Sequence, residues 1–257
     1  MSSGLIGYTG FVGSNLLRQH PFDELYNSKN IQDIYGKVFD LLVCAGVSAV
    51  KWKANQEPEA DWAGIQKLLD PLLTVKANTL VLISTVDVYP NPVGVSELTE
   101  ITSEDYPAYG KQRLRLERLV RQQFPQVHIL RLPALYGQGL KKNFIFDLHN
   151  NNCLHLTHKD STFQFYNLNN IWSDMQVVMR EHISLMNITT EPIRAQDMAQ
   201  RSFGLDFQTV TEKPPVLYDV QTVHAETFGK TGPYLYSAEY TLEQVKHFAQ
   251  TEPHTQV

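Results

Sequence analysis

Three glycines spaced three apart, Gly7, Gly10 and Gly13, lie between a short apolar run (Leu5, Ile6) and a helix-like segment (Ser14–Gln19). Each has a physical use. The first permits a tight strand-to-helix turn, the second lets backbone N–H groups approach a pyrophosphate, and the third lets helix and strand pack closely. The helix that follows turns its positive dipole end toward the same place. The chemistry expected is capture of a dinucleotide's phosphates by the backbone of Gly7, Thr9, Gly10, Phe11, Val12 and Gly13. Glycine turns are common in themselves. Placement directly after a strand and directly before a helix is what a dinucleotide site requires.

The elements that must hold this turn alternate along the chain. Strands are expected at Leu5–Ile6, Phe22–Tyr26, Phe39–Cys44, Leu80–Ser84 and Val127–Arg131. Helices are expected over Ser14–Gln19, over 61–75 (where Pro71 should kink or end the helix) and over 109–124. Almost wholly apolar strands alternating with helices predict a doubly wound, mostly parallel α/β sheet of Rossmann-like form. Beyond Tyr136 the elements become short and rich in Asn and His. The expected division is a dinucleotide-binding domain over 1–136 and a mostly substrate-binding lobe over 137–257, with some segments returning to the first. The strand at Phe39 begins only 26 residues after Gly13, too few for two complete strand–helix steps at roughly 30 residues per βαβ unit. The nucleotide half is therefore expected to be trimmed by one unit.

A chain of 257 residues can bury one sizeable core with a small appended lobe. Its formal charge of −5 argues against a general nucleic-acid surface. Cys44 and Cys153 have no CxxC partner and read as reduced, buried thiols. No apolar run approaches the ~18–20 residues of a membrane helix, and no secretory leader opens the sequence. A cytoplasmic protein with no membrane partner is expected. His149, His155 and His158 cluster in sequence without the spacing of a metal site, so no metal is expected.

Four segments together resemble the extended short-chain dehydrogenase/reductase family, in its NAD(P)-dependent epimerase/dehydratase branch. They are the Gly7–Gly13 turn, Ile83-Ser84-Thr85-Val86-Asp87-Val88-Tyr89, Tyr109-Gly110-Lys111-Gln112-Arg113 and Arg131-Leu132-Pro133-Ala134-Leu135-Tyr136-Gly137. They occur in family order across roughly residues 1 to 140. The resemblance implies that Tyr109 exchanges a proton with the substrate oxygen while hydride moves between nicotinamide and carbon. It implies that the Thr85 hydroxyl bonds the same oxygen. Each residue also has a plain reading, Thr85 as a satisfied strand-end hydroxyl and Tyr109 as a helix-start aromatic on the core.

The family places a lysine four residues after the tyrosine, one helical turn on, and here that position is Arg113. Lys111, two residues from Tyr109, points elsewhere. A cation ~6 Å from a phenol at an effective dielectric of ~20 contributes ~2.8 kcal/mol, or ~2 pKa units. Arg113 is thus expected to depress the Tyr109 pKa and to reach the nicotinamide ribose, although it cannot release a proton. The plain alternative is a surface arginine in a helix rich in them. Family dehydratases carry an Asp-Glu pair after the Thr, and Val86-Asp87 supplies one carboxylate, so dehydration is not expected.

An NAD site usually has an acid about twenty residues after the first glycine. That position falls on Asn27, followed by Ser28 and Lys29, which favours NADP(H) over NAD(H). Ala45 and Gly46 match the family's small residues beside the cofactor, and Leu132 and Pro133 its strand end. Candidate substrate contacts are Asp87, Lys142 and Asn143; Phe163 stands where the family often has a diphosphate-binding Arg. Lys141, Lys142 and Lys159 offer charge from elsewhere or are solvated loop lysines. The resemblance further implies a homodimer through the helices near 61–75 and 109–124. The expected function is oxidation–reduction or epimerisation at a sugar-like carbonyl or hydroxyl, nucleotide-linked sugars included. The alternative is an NAD(P)-binding regulator or scaffold of the same fold with little or no turnover.

Overall fold

The apolar runs of the amino-terminal half pair side by side because each can bury both of its faces. The computed structural model describes residues 2–254. Residues 2–90, 99–132 and 169–186 form one compact unit, and 91–98, 133–168 and 187–254 a second.

In the first unit the elements run β1 (Ser3–Ile6), α1 (Phe11–Gln19), β2 (Glu24–Tyr26), β3 (Val38–Cys44), α2 (Lys51–Gln56), α3 (Pro58–Leu72), β4 (Lys76–Thr85), α4 (Ala108–Gln123), β5 (Val127–Leu132), α5 (Ile171–Arg180) and β6 (Leu185–Asn187). The strands form one six-stranded sheet in the order β6-β5-β4-β3-β1-β2. β1 is parallel to β2 and β3, β3 to β4, and β4 to β5, with Ile6 opposite Cys44 and Thr85 opposite Leu132. Parallel pairing puts the carboxyl ends of these strands along one edge, where doubly wound sheets bind their ligands. Leu42, Val43 and Cys44 of β3 and Leu80, Val81 and Leu82 of β4 are all buried, so helices or loops cover both faces of the central strands.

The expected trimming is visible. A doubly wound nucleotide half has strand order 3-2-1-4-5-6, whereas β2 is here the edge strand. A single 3₁₀ turn, Ile31–Ile34, connects β2 to β3 on the far side of β1. Ile31 and Ile34 are buried against the sheet's apolar cluster, which does in four residues what a crossover helix would do.

Several boundaries differ from expectation. α1 starts at Phe11, directly after the glycine turn, and so incorporates Gly13. β2 starts at Glu24; Phe22 leaves the strand and meets His20 and Trp172 edge-on, while those two rings stack at 3.7 Å. α3 covers Pro58–Leu72, with Pro58 at its start, where a missing N–H costs nothing, and Pro71 buried in the turn that ends it. Cys44 is buried as expected, but Cys153 is exposed. It occupies a left-handed position (φ 46°) in the irregular turn after helix Phe144–Asn150, where the chain has already left the core.

The second unit holds three two-stranded pairings: Val93–Val95 with Asp219–Val220, Ala134–Tyr136 with Phe165–Asn167, and Thr162–Phe163 with Ile193–Arg194. Helices Phe144–Asn150, Ala195–Phe203 and Ala238–Thr251 accompany them. Glu97 ties its strands together by accepting from the Thr222 hydroxyl (2.7 Å) and from the N–H groups of Asn187 and Val223. Among the described residues no helix is long and apolar enough to cross a membrane.

Candidate active site

The glycine turn is held by its own backbone. Gly7 has φ +86° and donates its N–H to Tyr26 O (2.7 Å), and its carbonyl accepts from Gly10 N–H (2.9 Å). A Cβ on Gly7 would overlap the Ala45 carbonyl, and one on Gly13 would overlap the Gly7 carbonyl and lie 2.9 Å from Tyr8 Cα. Both glycines are therefore required by packing. Gly10 is less constrained: its φ of −78° is ordinary, and a Cβ there would sit 3.3 Å from the Gly7 carbonyl, a tight contact that asks for a small shift. Gly10 is also the N-cap of α1, and no side chain caps that helix. The turn thus presents first-turn N–H groups of α1 beside a residue without a side chain. We expect Gly13→Ala to destabilise the protein by ~1–3 kcal/mol in denaturant unfolding, and Gly10→Ala by much less. Equal unfolding midpoints for the two variants would refute this account of the turn.

Ala45 and Gly46 follow β3 beside the turn. Ala45 N–H donates to Ile6 O (2.9 Å), and a Cβ on Gly46 would press on Ile6 Cγ2 at 2.9 Å. At the end of β2, Asn27 Nδ2 donates to the Tyr8 hydroxyl (3.1 Å) and its Oδ1 accepts from Lys29 N–H (2.8 Å). Ser28 and Lys29 are exposed on that turn. Leu132 ends β5, buried, and Pro133 belongs to the second unit.

Thr85 and Tyr109 come together although 24 positions separate them in sequence. Thr85 ends β4, and its Oγ1 accepts the Asp87 N–H (3.1 Å) as cap of the 3₁₀ turn Val86–Val88. Its hydroxyl hydrogen is thereby left to donate, and the hydroxyl acts on the nearby Tyr109 phenol to favour its ionised form. α4 seats Tyr109 in its first turn. A Cβ on Gly110 would overlap the Asp87 carbonyl, so only glycine lets the helix approach that closely. Tyr109 N–H donates to Asn55 Oδ1 (2.9 Å), which fixes the helix start from α2.

Arg113 corrects two expectations. It is not a surface residue: its side chain is 4% exposed and forms an ion pair with Asp61, itself 9% exposed, in the first turn of α3. Nη1 bonds Asp61 Oδ2 and the Tyr109 carbonyl, and Nη2 bonds Asp61 Oδ1 (3.0 Å) and Ser48 O (2.6 Å). Only Nε is left without a partner. Nor is the Tyr109 pKa depressed overall. Burial raises it above the ordinary tyrosine value, and the nearby Asp87 carboxylate adds to the rise. Arg113, Lys51 and the Thr85 hydroxyl oppose that rise without overcoming it. The guanidinium lies over the phenol ring, 4.0 Å from its centroid, with Asp61 accompanying its charge.

Three residues escaped the sequence reading: Asp61, Asn55 and Lys51. Lys51 Nζ pairs with Asp87 Oδ1 at 2.7 Å. The signal for Asp61 was Arg113 itself, since a buried guanidinium needs a carboxylate. Lys51 and Asn55 stand i, i+4 apart, on one face of α2. Lys111 Nζ donates to Glu104 O (3.1 Å), away from the phenol. Asn143 and Lys142 belong to the second unit. There Asn143, at φ 117°, caps helix Phe144–Asn150 by accepting Phe146 N–H (3.2 Å) and donates to Leu135 O (2.7 Å). Lys142 is exposed, and partial desolvation lowers its pKa.

No family model and no curated protein matches the chain, but solved structures do. A UDP-glucose 4-epimerase with UDP-glucose from Thermotoga maritima superposes with a TM-score of 0.70 at 14% identity, over 97% of this chain and 99% of that one. A dTDP-4-dehydrorhamnose reductase with NADP from Bacillus anthracis gives 0.73 at 15% identity, over 98% and 99%. An NAD-dependent NDP-hexosamine 5,6-dehydratase gives 0.68 at 16% identity, over 98% and 99%. The fold is that of the extended short-chain dehydrogenase/reductases. This short-chain dehydrogenase/reductase fold carries at least three reactions among those structures, so the fold does not choose between them. What distinguishes this chain within it is local: the shortened β2–β3 connection and the Arg113–Asp61 pair beside Tyr109.

Proposed function

We infer that the protein is a nicotinamide-dependent reductase or epimerase acting on a sugar-like carbonyl or hydroxyl. The observation that carries this reading is the Tyr109 phenol set near the Thr85 hydroxyl at the carboxyl end of β4, in the same sheet whose β1 ends in the glycine turn. The residues present fit the cofactor. Gly10 leaves the start of α1 without a side chain, no side chain caps that helix, and Arg113 Nε is a buried donor with no partner. A bound nicotinamide dinucleotide would supply or accept the hydride. The glycine turn would hold the phosphates through backbone N–H groups, and we assign Arg113 Nε to the ribose beside the nicotinamide. Tyr109, kept protonated by burial at neutral pH, gives its proton to the substrate oxygen during reduction, and Thr85 steadies that oxygen. In the oxidative direction the same phenol oxygen takes the proton back. Both directions on a retained cofactor amount to epimerisation. The epimerase and reductase neighbours support a nucleotide-linked sugar as the substrate class.

NADP(H) is the preferred form in this reading, because β2 is followed by Asn27 rather than an acid, with Lys29 exposed on the same turn. Mass spectrometry of the supernatant from denatured protein is expected to find a nicotinamide dinucleotide. Consumption of NADPH with a ketosugar then identifies a reductase, and product without net cofactor change identifies an epimerase. A supernatant free of dinucleotide, together with no binding of added NADH or NADPH, would sink the reading. One observation favours the alternative, a dinucleotide-binding regulator: Arg113, in the position of the family lysine, is engaged by Asp61.

A further inference from the structure

Building on the dinucleotide reading, we propose that Tyr8, aimed by Asn27, is the residue that selects the 2′-phosphorylated form of the cofactor. β1 and β2 end side by side: Ile6 stands opposite Tyr26, and Gly7 N–H donates to Tyr26 O (2.7 Å). Tyr8 leaves the first of these strand ends and Asn27 the second. Their side chains meet, with Asn27 Nδ2 and the Tyr8 hydroxyl 3.1 Å apart. Asn27 lies twenty residues after Gly7, where an NAD site places the acid that bonds the ribose 2′-hydroxyl. A side chain bonded to Asn27 therefore borders the same end of the cofactor.

The direction of that bond is fixed by its neighbours. Asn27 Oδ1 accepts the backbone N–H of Lys29 (2.8 Å), a group that can only donate, and this settles which end of the amide is oxygen. The atom on Tyr8 is then the amide nitrogen, so the phenol oxygen accepts and the phenol hydrogen is left for a ligand. Asn27 is itself held in place. Its N–H donates to Asn30 Oδ1 (2.7 Å), and Asn30 Nδ2 donates to Leu25 O (2.9 Å). Ser28 and Lys29 are exposed on the turn so closed. The carboxylate nearest in sequence, Glu24, is taken by Tyr26 and Lys37. The turn thus offers a phenol O–H, a hydroxyl and an ammonium, and no acid. Donors of this kind suit a phosphate, whereas a ribose hydroxyl also has a hydrogen to place. β2 is also the edge of its sheet, so no outer strand crowds a phosphate at its carboxyl end.

Tyr8→Phe keeps the ring and removes the donor. Calorimetric titration of the full chain with NADPH and with NADH reads both affinities and needs no substrate. Wild type should bind NADPH the more tightly. Tyr8→Phe should weaken NADPH about 10-fold and leave NADH within about 2-fold. Asn27→Ala, which leaves the phenol unaimed, should lower the same ratio by a smaller factor. Titration with 2′,5′-ADP and with 5′-ADP repeats the comparison without the nicotinamide, and the loss should follow the 2′-phosphate. An equal loss for both dinucleotides in Tyr8→Phe would make Tyr8 a prop of the glycine turn and overturn the proposal. So would an unmoved ratio, or tighter binding of NADH by wild type. Binding of neither dinucleotide by wild type sinks the function reading and this assignment with it. Binding of both, with a ratio that Tyr8→Phe does not move, sinks the assignment alone.

Discussion

Tyr109→Phe is expected to lower kcat about 100- to 10,000-fold while leaving dinucleotide retention in place, since it removes one general acid and no part of the glycine turn. Folding should suffer little. The substitution deletes a single buried hydroxyl near Thr85, a loss of about 1 kcal/mol. Thr85→Val should cost less in kcat than Tyr109→Phe, because the valine removes an assisting bond and leaves the proton donor. The pH dependence has a definite sign. Burial raises the Tyr109 pKa, so the phenol is protonated through the neutral range, and reduction should hold a plateau there and fall on the alkaline side. The oxidative direction, which needs the phenolate, should rise with pH over the same interval. Steady-state rates of wild type and variant with NADPH and a ketosugar check both statements. A Tyr109→Phe protein with wild-type turnover would remove Tyr109 from the chemistry. One with intact cellular function, intact dinucleotide binding and no measurable turnover in either form would point to the regulator.

How much of this was legible in the sequence follows from the range of the interactions involved. The glycine turn was readable because backbone geometry is local: a positive φ at Gly7 and a helix start at Gly10 depend on a few consecutive residues. The buried strands were readable because a parallel sheet covered on both faces demands uninterrupted apolar runs, as in Leu80-Val81-Leu82. The shortened β2–β3 connection was readable from residue count alone, though not that Ile31 and Ile34 would fill in for a helix. The partners of Tyr109 were not readable in full. Asp61 meets Arg113 across 52 positions and Lys51 meets Asp87 across 36, distances over which sequence spacing says nothing about contact. The Tyr109 pKa failed for a related reason. A charge-to-charge sum over two residues omits desolvation, and desolvation is the largest influence on a phenol this deeply buried.

The largest expected effect on stability lies at the Asp61–Arg113 pair. Both side chains are almost fully enclosed, at 9% and 4% exposure, so removing one leaves the other charged, buried and unpaired. Arg113→Met should therefore destabilise the fold by about 3–5 kcal/mol, and Asp61→Asn by a comparable amount. The double variant Asp61→Asn/Arg113→Met should recover much of the loss, because neither charge is then stranded. Urea unfolding of the four proteins closes the cycle, and about 1 M salt should change the coupling little, since screening acts weakly on a pair this far from solvent. Arg113→Lys is the discriminating substitution. A single ammonium cannot span both Asp61 oxygens and Ser48 O as the two guanidinium nitrogens do. It should therefore remain clearly less stable than wild type although the charge is kept. If Arg113→Lys were as stable as the parent, charge alone would matter and the forked geometry would not. If the double variant were no better than the singles, the pair would be two independent contacts. The predicted pattern, strong coupling with poor rescue by lysine, makes Arg113 a clamp joining α3 to α4 and the loop at Ser48. That clamp fixes the backbone carrying Tyr109.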